Sequence, residues 1–159
     1  TDVRVPVENL VGLEGGAFKQ TMRQLEHERG GIDRLVSNHA HYLTALAHAD
    51  TMNSAVRDEI AKLEIGYRIG RILVIREVLK QAPAGLSAAT KCFCTEHEIR
   101  VSDFVYRTLG PQAMVWDDVT KGLAYAPGYT IMGGTSNVMR NILGERTLGL
   151  PREPSPRST

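Results

Sequence analysis

The sequence predicts an all-α fold, a four-helix up-and-down bundle, and three observations carry that reading. Apolar residues recur at heptad spacing along two very long stretches; Gly and Pro separate these from shorter helical runs; and period-two alternation is confined to Val3, Val5 and Val7. At 159 residues the chain fits one domain, large enough to bury a core without disulfides or metal.

Residues 1–12 alternate at the three valines and turn at Asn9 and Gly12, and Pro6 limits them to a linker or an edge strand. Because the chain opens on Thr1 in what reads as the end of an element, it is expected to be a fragment. Residues 13–150 form the helical domain. Its first stripe, Phe18, Met22, Leu25, Ile32, Val36, His39, Leu43 and Leu46, with Arg29 between Leu25 and Ile32, predicts one helix over about 14–49. Gly30 and Gly31 weaken it by about 1 kcal/mol each relative to alanine, so something other than helix propensity places them there.

Asp50, Thr51, Asn53 and Ser54 offer N-caps for a second helix over about 54–81, and Asp58 and Glu59 complement its dipole. Its buried face is read as Ile60, Leu63, Tyr67, Ile72 and Val74, flanked by Ile69, Leu73 and Ile75. Pro83 and Gly85 end that run, and Ser87 can cap a third helix over about 87–109. The stripe there, Ala88, Cys92, Thr95, Ile99, Ser102, Tyr106 and Leu109, is small and partly polar, which suits close approach by another helix or by a group that is not a side chain. Residues 111–130, with Trp116, Gly122, Pro127 and Gly128, read as irregular structure holding one short helix. A last helix starts at Thr135 or Ser136 and runs to about Arg146 with Val138, Ile142 and Leu143 inward, and the Pro-, Ser- and Arg-rich tail 151–159 is expected to be disordered.

Composition excludes several functions. Nineteen basic and 18 acidic residues leave a net charge of +1, which gives no footprint for nucleic acid or an anionic membrane surface. No apolar run approaches the ~20 residues a bilayer span requires. Cys92 and Cys94, two apart on a helix, point to nearly opposite sides and cannot pair, so a reducing, cytoplasmic setting is expected. His39, His41, His48 and His97 form no compact ligand spacing with these cysteines, and no metal site is predicted.

Two features point to chemistry. Glu26–His27–Glu28–Arg29 interrupts a helix otherwise patterned for packing, and Glu28 falls on or beside the apolar stripe. A carboxylate there is either ion-paired, with Arg29, Arg34 or Arg68, or used as a general base in an apolar pocket that the neighbouring glycines leave open to a ligand. The second feature is Gly133–Gly134–Thr135–Ser136–Asn137, a glycine turn feeding a helix N-terminus, which is an ordinary capped turn or a seat for an anion or an electron-rich ring edge.

The run from Gly133 through Arg146–Thr147–Leu148–Gly149–Leu150–Pro151–Arg152 resembles the C-terminal signature of acyl-CoA dehydrogenases. Thr1–Gly12 resembles the segment where that family leaves its middle β domain, and Leu25–Gly31 resembles part of its first long C-terminal helix. The resemblance implies the C-terminal helical domain of an FAD-dependent enzyme that oxidises acyl-CoA thioesters to trans-2-enoyl-CoA and passes electrons to an electron-transfer flavoprotein. It further implies a dimer or tetramer, and a fragment inactive without the β domain.

In many members the catalytic base immediately precedes the Gly-Thr of the C-terminal motif, where this chain has Gly133. Other members carry the glutamate on the first long helix just before an arginine, which corresponds here to Glu28 followed by Arg29. Carried over in the same way, Glu26, Arg29 and Gly134 line the acyl-CoA site, and Thr135 and Asn137 touch FAD. Asn137 replaces the more usual Glu or Gln. The family's Arg-x-x-Phe-Gly and Gln-x-x-Gly-Gly flavin grips are missing: Asp50–Thr51–Met52–Asn53 and Tyr106–Arg107–Thr108–Leu109–Gly110–Pro111 stand in those regions. Such losses fit a different hold on FAD or a partner subunit of another sequence, so the resemblance leaves homo- and hetero-oligomer open, along with a non-catalytic helical partner role.

Overall fold

The computed structural model describes residues 2–30, 32–83, 85–115 and 117–152, without the side chains of Glu26 and His27. Gly31, Trp116 and residues 153–159 of the expected disordered tail therefore lie outside the described residues. Among the described residues seven α-helices follow in order: α1 (Ala17–Arg29), α2 (Asp33–Val36), α3 (His39–His48), α4 (Ser54–Val78), α5 (Leu86–Leu109), α6 (Asp118–Tyr129) and α7 (Ser136–Ile142). A 3-10 turn occupies Val7–Asn9, another Gly110–Met114, and a π-helical turn Leu143–Thr147 extends α7. No strand occurs among the described residues, so the all-helical expectation holds.

The expected single helix over 14–49 is instead α1, α2 and α3, and a close contact lies at each break. A Cβ at Gly30 would fall 1.7 Å from Glu77 Oε2, so this turn lies directly against the Glu77 side chain of α4. At Asn38 (φ −104°, ψ 11°) the backbone N–H donates to the buried Glu98 carboxylate at 2.9 Å. That amide is satisfied from α5 rather than by the preceding helical turn, and α3 starts afresh after it.

α5 is the central element and packs against α1, α2, α3, α4, α6 and α7. Tyr42, Ala45, Leu63, Val101, Phe104 and Val105 form the main core, and Leu35, Val74 and Cys94 form a second cluster beside it. A third, Ala88, Cys92 and Met139, holds α7. Two α4 glycines lie at close approaches: a Cβ at Gly66 would meet His97 Nδ1 of α5 at 2.5 Å, and one at Gly70 would meet Leu35 Cδ1 of α2 at 2.5 Å.

Several expected core residues are exposed, namely Phe18, Ile32, Leu43, Ile72, Ile99, Tyr106 and Val138. Heptad stripes drift around a straight helix and overstate how far one face stays inward. Residues 110–129 are more regular than expected. Asp117 caps α6 by accepting from Thr120 N at 3.0 Å, and Gly122 is a packing glycine, since its Cβ would lie 2.6 Å from Asn38 Oδ1.

Candidate functional site

The end of α1 and the turn before α7 meet at one corner. Arg29 Nε donates to the Gly133 carbonyl at 3.1 Å, tying residues 104 positions apart. Arg34 reaches the same place from α2: a Cβ at Gly133 would lie 3.1 Å from its Nη2. Gly133 (φ +68°) and Gly134 (φ +101°) are left-handed, a conformation in which side chains are strained, and a Cβ at Gly134 would meet Met139 Cε at 2.5 Å.

Glu28 belongs to this corner. Its Oε1 lies 3.4 Å from Arg34 Nη2, with the Glu28 side chain 49% exposed and that of Arg34 8%. The expected burial in an apolar pocket is thus not seen; of the three arginines considered as partners, Arg34 is the one at ion-pair distance. Glu28, Arg29, Gly133 and Gly134 are brought together, while the side chain of Glu26 lies outside the described residues.

Thr135 is exposed, and its Oγ1 caps α7 by accepting from Val138 N at 3.2 Å. Asn137, also exposed, borders an open depression of about 610 Å³ shared with Arg140, Asn141, Gly144 and Glu145. Both are polar and unburied, so they fit contact with a bound cofactor on the outside of the turn.

The turn rests on Lys91, which pattern reading missed. This fully buried lysine donates from Nζ to the Thr130 carbonyl at 3.0 Å, and Ser136 N donates to the same oxygen at 2.9 Å. Burial lowers the Lys91 pKa, and the Arg34 and Arg29 guanidiniums push the same way while Cys92 opposes. Glu98, about two turns further along the same face of α5, is buried too and its pKa is raised by burial to about 7, against the hydrogen bonds from Asn38. The signal for both was present. Lys91 and Glu98 keep helical register with Ala88, Thr95 and Ser102, but the expected stripe, from Ala88 to Leu109, passes over both charged residues.

Residues 15–148 match the family described as Acyl-CoA dehydrogenase, C-terminal domain. The chain belongs to that family. Over 169 residues it is 25% identical to the acyl-CoA dehydrogenase IpdE1 of Mycobacterium tuberculosis, covering 96% of this chain and 43% of the relative. Acyl-CoA dehydrogenase FadE26 of the same organism is 28% identical over 179 residues, covering 96% of this chain and 44% of the relative. The domain thus spans less than half the length of these curated relatives. Its fold is also that of a solved glutaryl-coenzyme A dehydrogenase in complex with glutaryl-CoA, with a TM-score of 0.79 over 93% of this chain and 42% of the other, at 19% identity. No described helix is long and apolar enough to cross a membrane, and no described cluster of His, Cys, Asp and Glu could hold a metal ion.

Proposed function

We propose that this domain supplies Glu28 as the base that takes the α-proton of an acyl-CoA thioester in an FAD-dependent acyl-CoA dehydrogenase. The observation that carries the reading is the Arg29-to-Gly133 hydrogen bond, which sets the end of α1 beside a turn whose family base position bears no side chain. Removal of the α-proton leaves the electron pair of the Cα–H bond to form the 2,3 double bond as the β-hydride departs. Bound FAD supplies the hydride acceptor. Arg34 holds one Glu28 oxygen and leaves the other to accept a proton. Glu26, Arg29 and Gly134 line the acyl-CoA site, Thr135 and Asn137 touch FAD, and an electron-transfer flavoprotein receives the electrons.

The exposed Glu28–Arg34 pair favours a second reading, in which the carboxylate is structural and the domain is a non-catalytic partner. Glu28→Gln in the full-length protein separates the two. In the base reading, flavin bleaching by acyl-CoA under anaerobic conditions slows by about 10²–10⁴-fold while FAD content is unchanged. Bleaching at the wild-type rate would overturn the assignment.

A further inference from the structure

We infer that Lys91, with Arg29 and Arg34, gives the Glu28 corner a fixed excess of positive charge, and that the corner thereby selects the enolate form of an acyl-CoA thioester. The inference rests on the proposed acyl-CoA site and stands whichever residue is the base.

Three cations meet the turn around Gly133. Arg29 Nε donates to the Gly133 carbonyl, Arg34 stands 3.1 Å from where a Gly133 Cβ would be, and Lys91 reaches the turn at the Thr130 carbonyl. Among the described residues the ion pair of Arg34 with the half-exposed Glu28 is the only one that these three make. Arg34 Nε is buried and has no hydrogen-bond partner there. Other carboxylates do not restore the balance. Glu96, which acts on Lys91 through space, is bonded to Arg140. Glu77, across the Gly30 turn, is pushed up toward its neutral form by burial.

The fold does not call for the Lys91 ammonium. The Thr130 carbonyl already accepts from Ser136 N at 2.9 Å, and Cys92 Sγ donates to the Ser136 carbonyl at 3.6 Å, so the turn stays tied to α5 without it. Burying an unpaired ammonium is costly, and apolar replacement of buried charge is often neutral or stabilising. Lys91 is 0% exposed within this domain, so no neighbouring domain or subunit brings it a counterion by contact. A ligand that carries negative charge at the turn supplies one through space, more strongly where water is excluded. An acyl-CoA thioester acquires that charge here. As the α-proton passes to the base, the Cα–H electron pair moves onto the thioester oxygen, so the carboxylate becomes neutral and the enolate negative. Neutralising Glu28 alone would leave the three cations without a counterion, whereas the enolate keeps the charge within their field. Lys91, enclosed behind the turn, acts through this field and is a positioning residue.

Lys91→Met removes the charge at similar side-chain length. In the full-length, FAD-loaded protein it should weaken binding of a 3-oxoacyl-CoA, which enolises readily, by about tenfold or more. Binding of the 2-enoyl-CoA of the same chain length, uncharged at its acyl group, should change less than about threefold. Isothermal titration reads both, with circular dichroism confirming the helices. Arg34→Gln, which keeps a donor toward Glu28 but drops the charge, should give the same split, and it alone decides if Lys91→Met does not fold. Equal weakening of the two ligands would make the cations merely structural and overturn the inference. So would unchanged binding of the 3-oxoacyl-CoA, or a wild-type protein that binds neither ligand. The base is tested apart: if Glu28→Gln leaves flavin bleaching unaltered while the Lys91→Met split persists, the base assignment falls and the charge inference stands.

Discussion

The long pair α4–α5 and the corner where α1 and α2 meet the Gly133–Gly134 turn follow different structural rules. Along the pair, hydrogen bonding is carried within two uninterrupted helices, and apolar burial with a small-residue contact at Gly66 does the rest. At the corner the helices are broken, backbone groups are satisfied by side chains from distant elements, and four charged groups, Glu28, Arg29, Arg34 and Lys91, crowd around left-handed glycines. The pair is a scaffold whose stability is dominated by packing, and the corner is a place where charge is held at the cost of regularity. Such a division suits an enzyme domain, since a site needs polar groups that a packed core does not tolerate without partners.

The largest effect expected from this comparison lies in the pair. Phe104 is 1% exposed and packs with Tyr42, their ring centroids 5.8 Å apart. Phe104→Ala should lower stability by about 3–5 kcal/mol, the usual cost of truncating a buried phenylalanine. Urea denaturation checks it, and a loss under ~1 kcal/mol would mean the pair is not the scaffold.

How much was legible in the sequence divides along the same line. α4 and α5 were readable because period and punctuation agree: Asn53 caps α4 by accepting from Ala55 N at 2.9 Å, and Gly85, at φ +84°, breaks the chain before α5, although it and not the expected Ser87 stands at the N-cap. Within 14–49 the first break had a local signal in Gly30 and Gly31, but the second did not, because the Asn38 amide is taken by Glu98, which lies far along the chain. At the corner, Glu28 and the glycines were singled out from local anomaly alone. Arg34 was among the expected partners of Glu28, but Lys91 was not placed there, because a buried cation in register with apolar neighbours looks like any polar residue on a helix until its partner carbonyl is located.

A smaller effect joins the two regions through pH. His97 and Glu98 are adjacent on α5, both buried, and burial drives both toward neutrality: the His97 pKa falls to about 4, with Arg100 and His39 adding to the push and Glu64 opposing it, while that of Glu98 rises to about 7. Between about pH 4.5 and 6.5, the ordinary values of the two groups, the unfolded chain holds a proton on His97 and none on Glu98, and the folded chain the reverse. Falling pH therefore destabilises through His97 and stabilises through Glu98, each by about 1.4 kcal/mol per pH unit. The two cancel, leaving their net contribution nearly flat. Glu98→Gln should expose the histidine slope, with stability falling as pH drops through this window, and His97→Gln should show the opposite slope. Urea titrations at three pH values check the signs. Parallel responses in the two variants would sink the account.

The smallest effect sharpens the boundary between scaffold and site. Thr135 Oγ1 accepts from Val138 N, so its hydroxyl already has a structural task at the start of a seven-residue helix. Thr135→Ala should lower stability by about 1 kcal/mol through the lost cap, and Thr135→Ser should recover most of it. If capping is the whole role, FAD affinity of the full-length protein tracks stability across both variants. If the hydroxyl also touches FAD, as proposed, Thr135→Ala weakens FAD binding several-fold at temperatures where the fold is fully populated, and Thr135→Ser restores binding along with the cap. Isothermal titration with FAD well below the melting transition separates these outcomes. Unchanged affinity in Thr135→Ala would assign Thr135 to the scaffold and shrink the site to the groups held by Arg29 and Arg34.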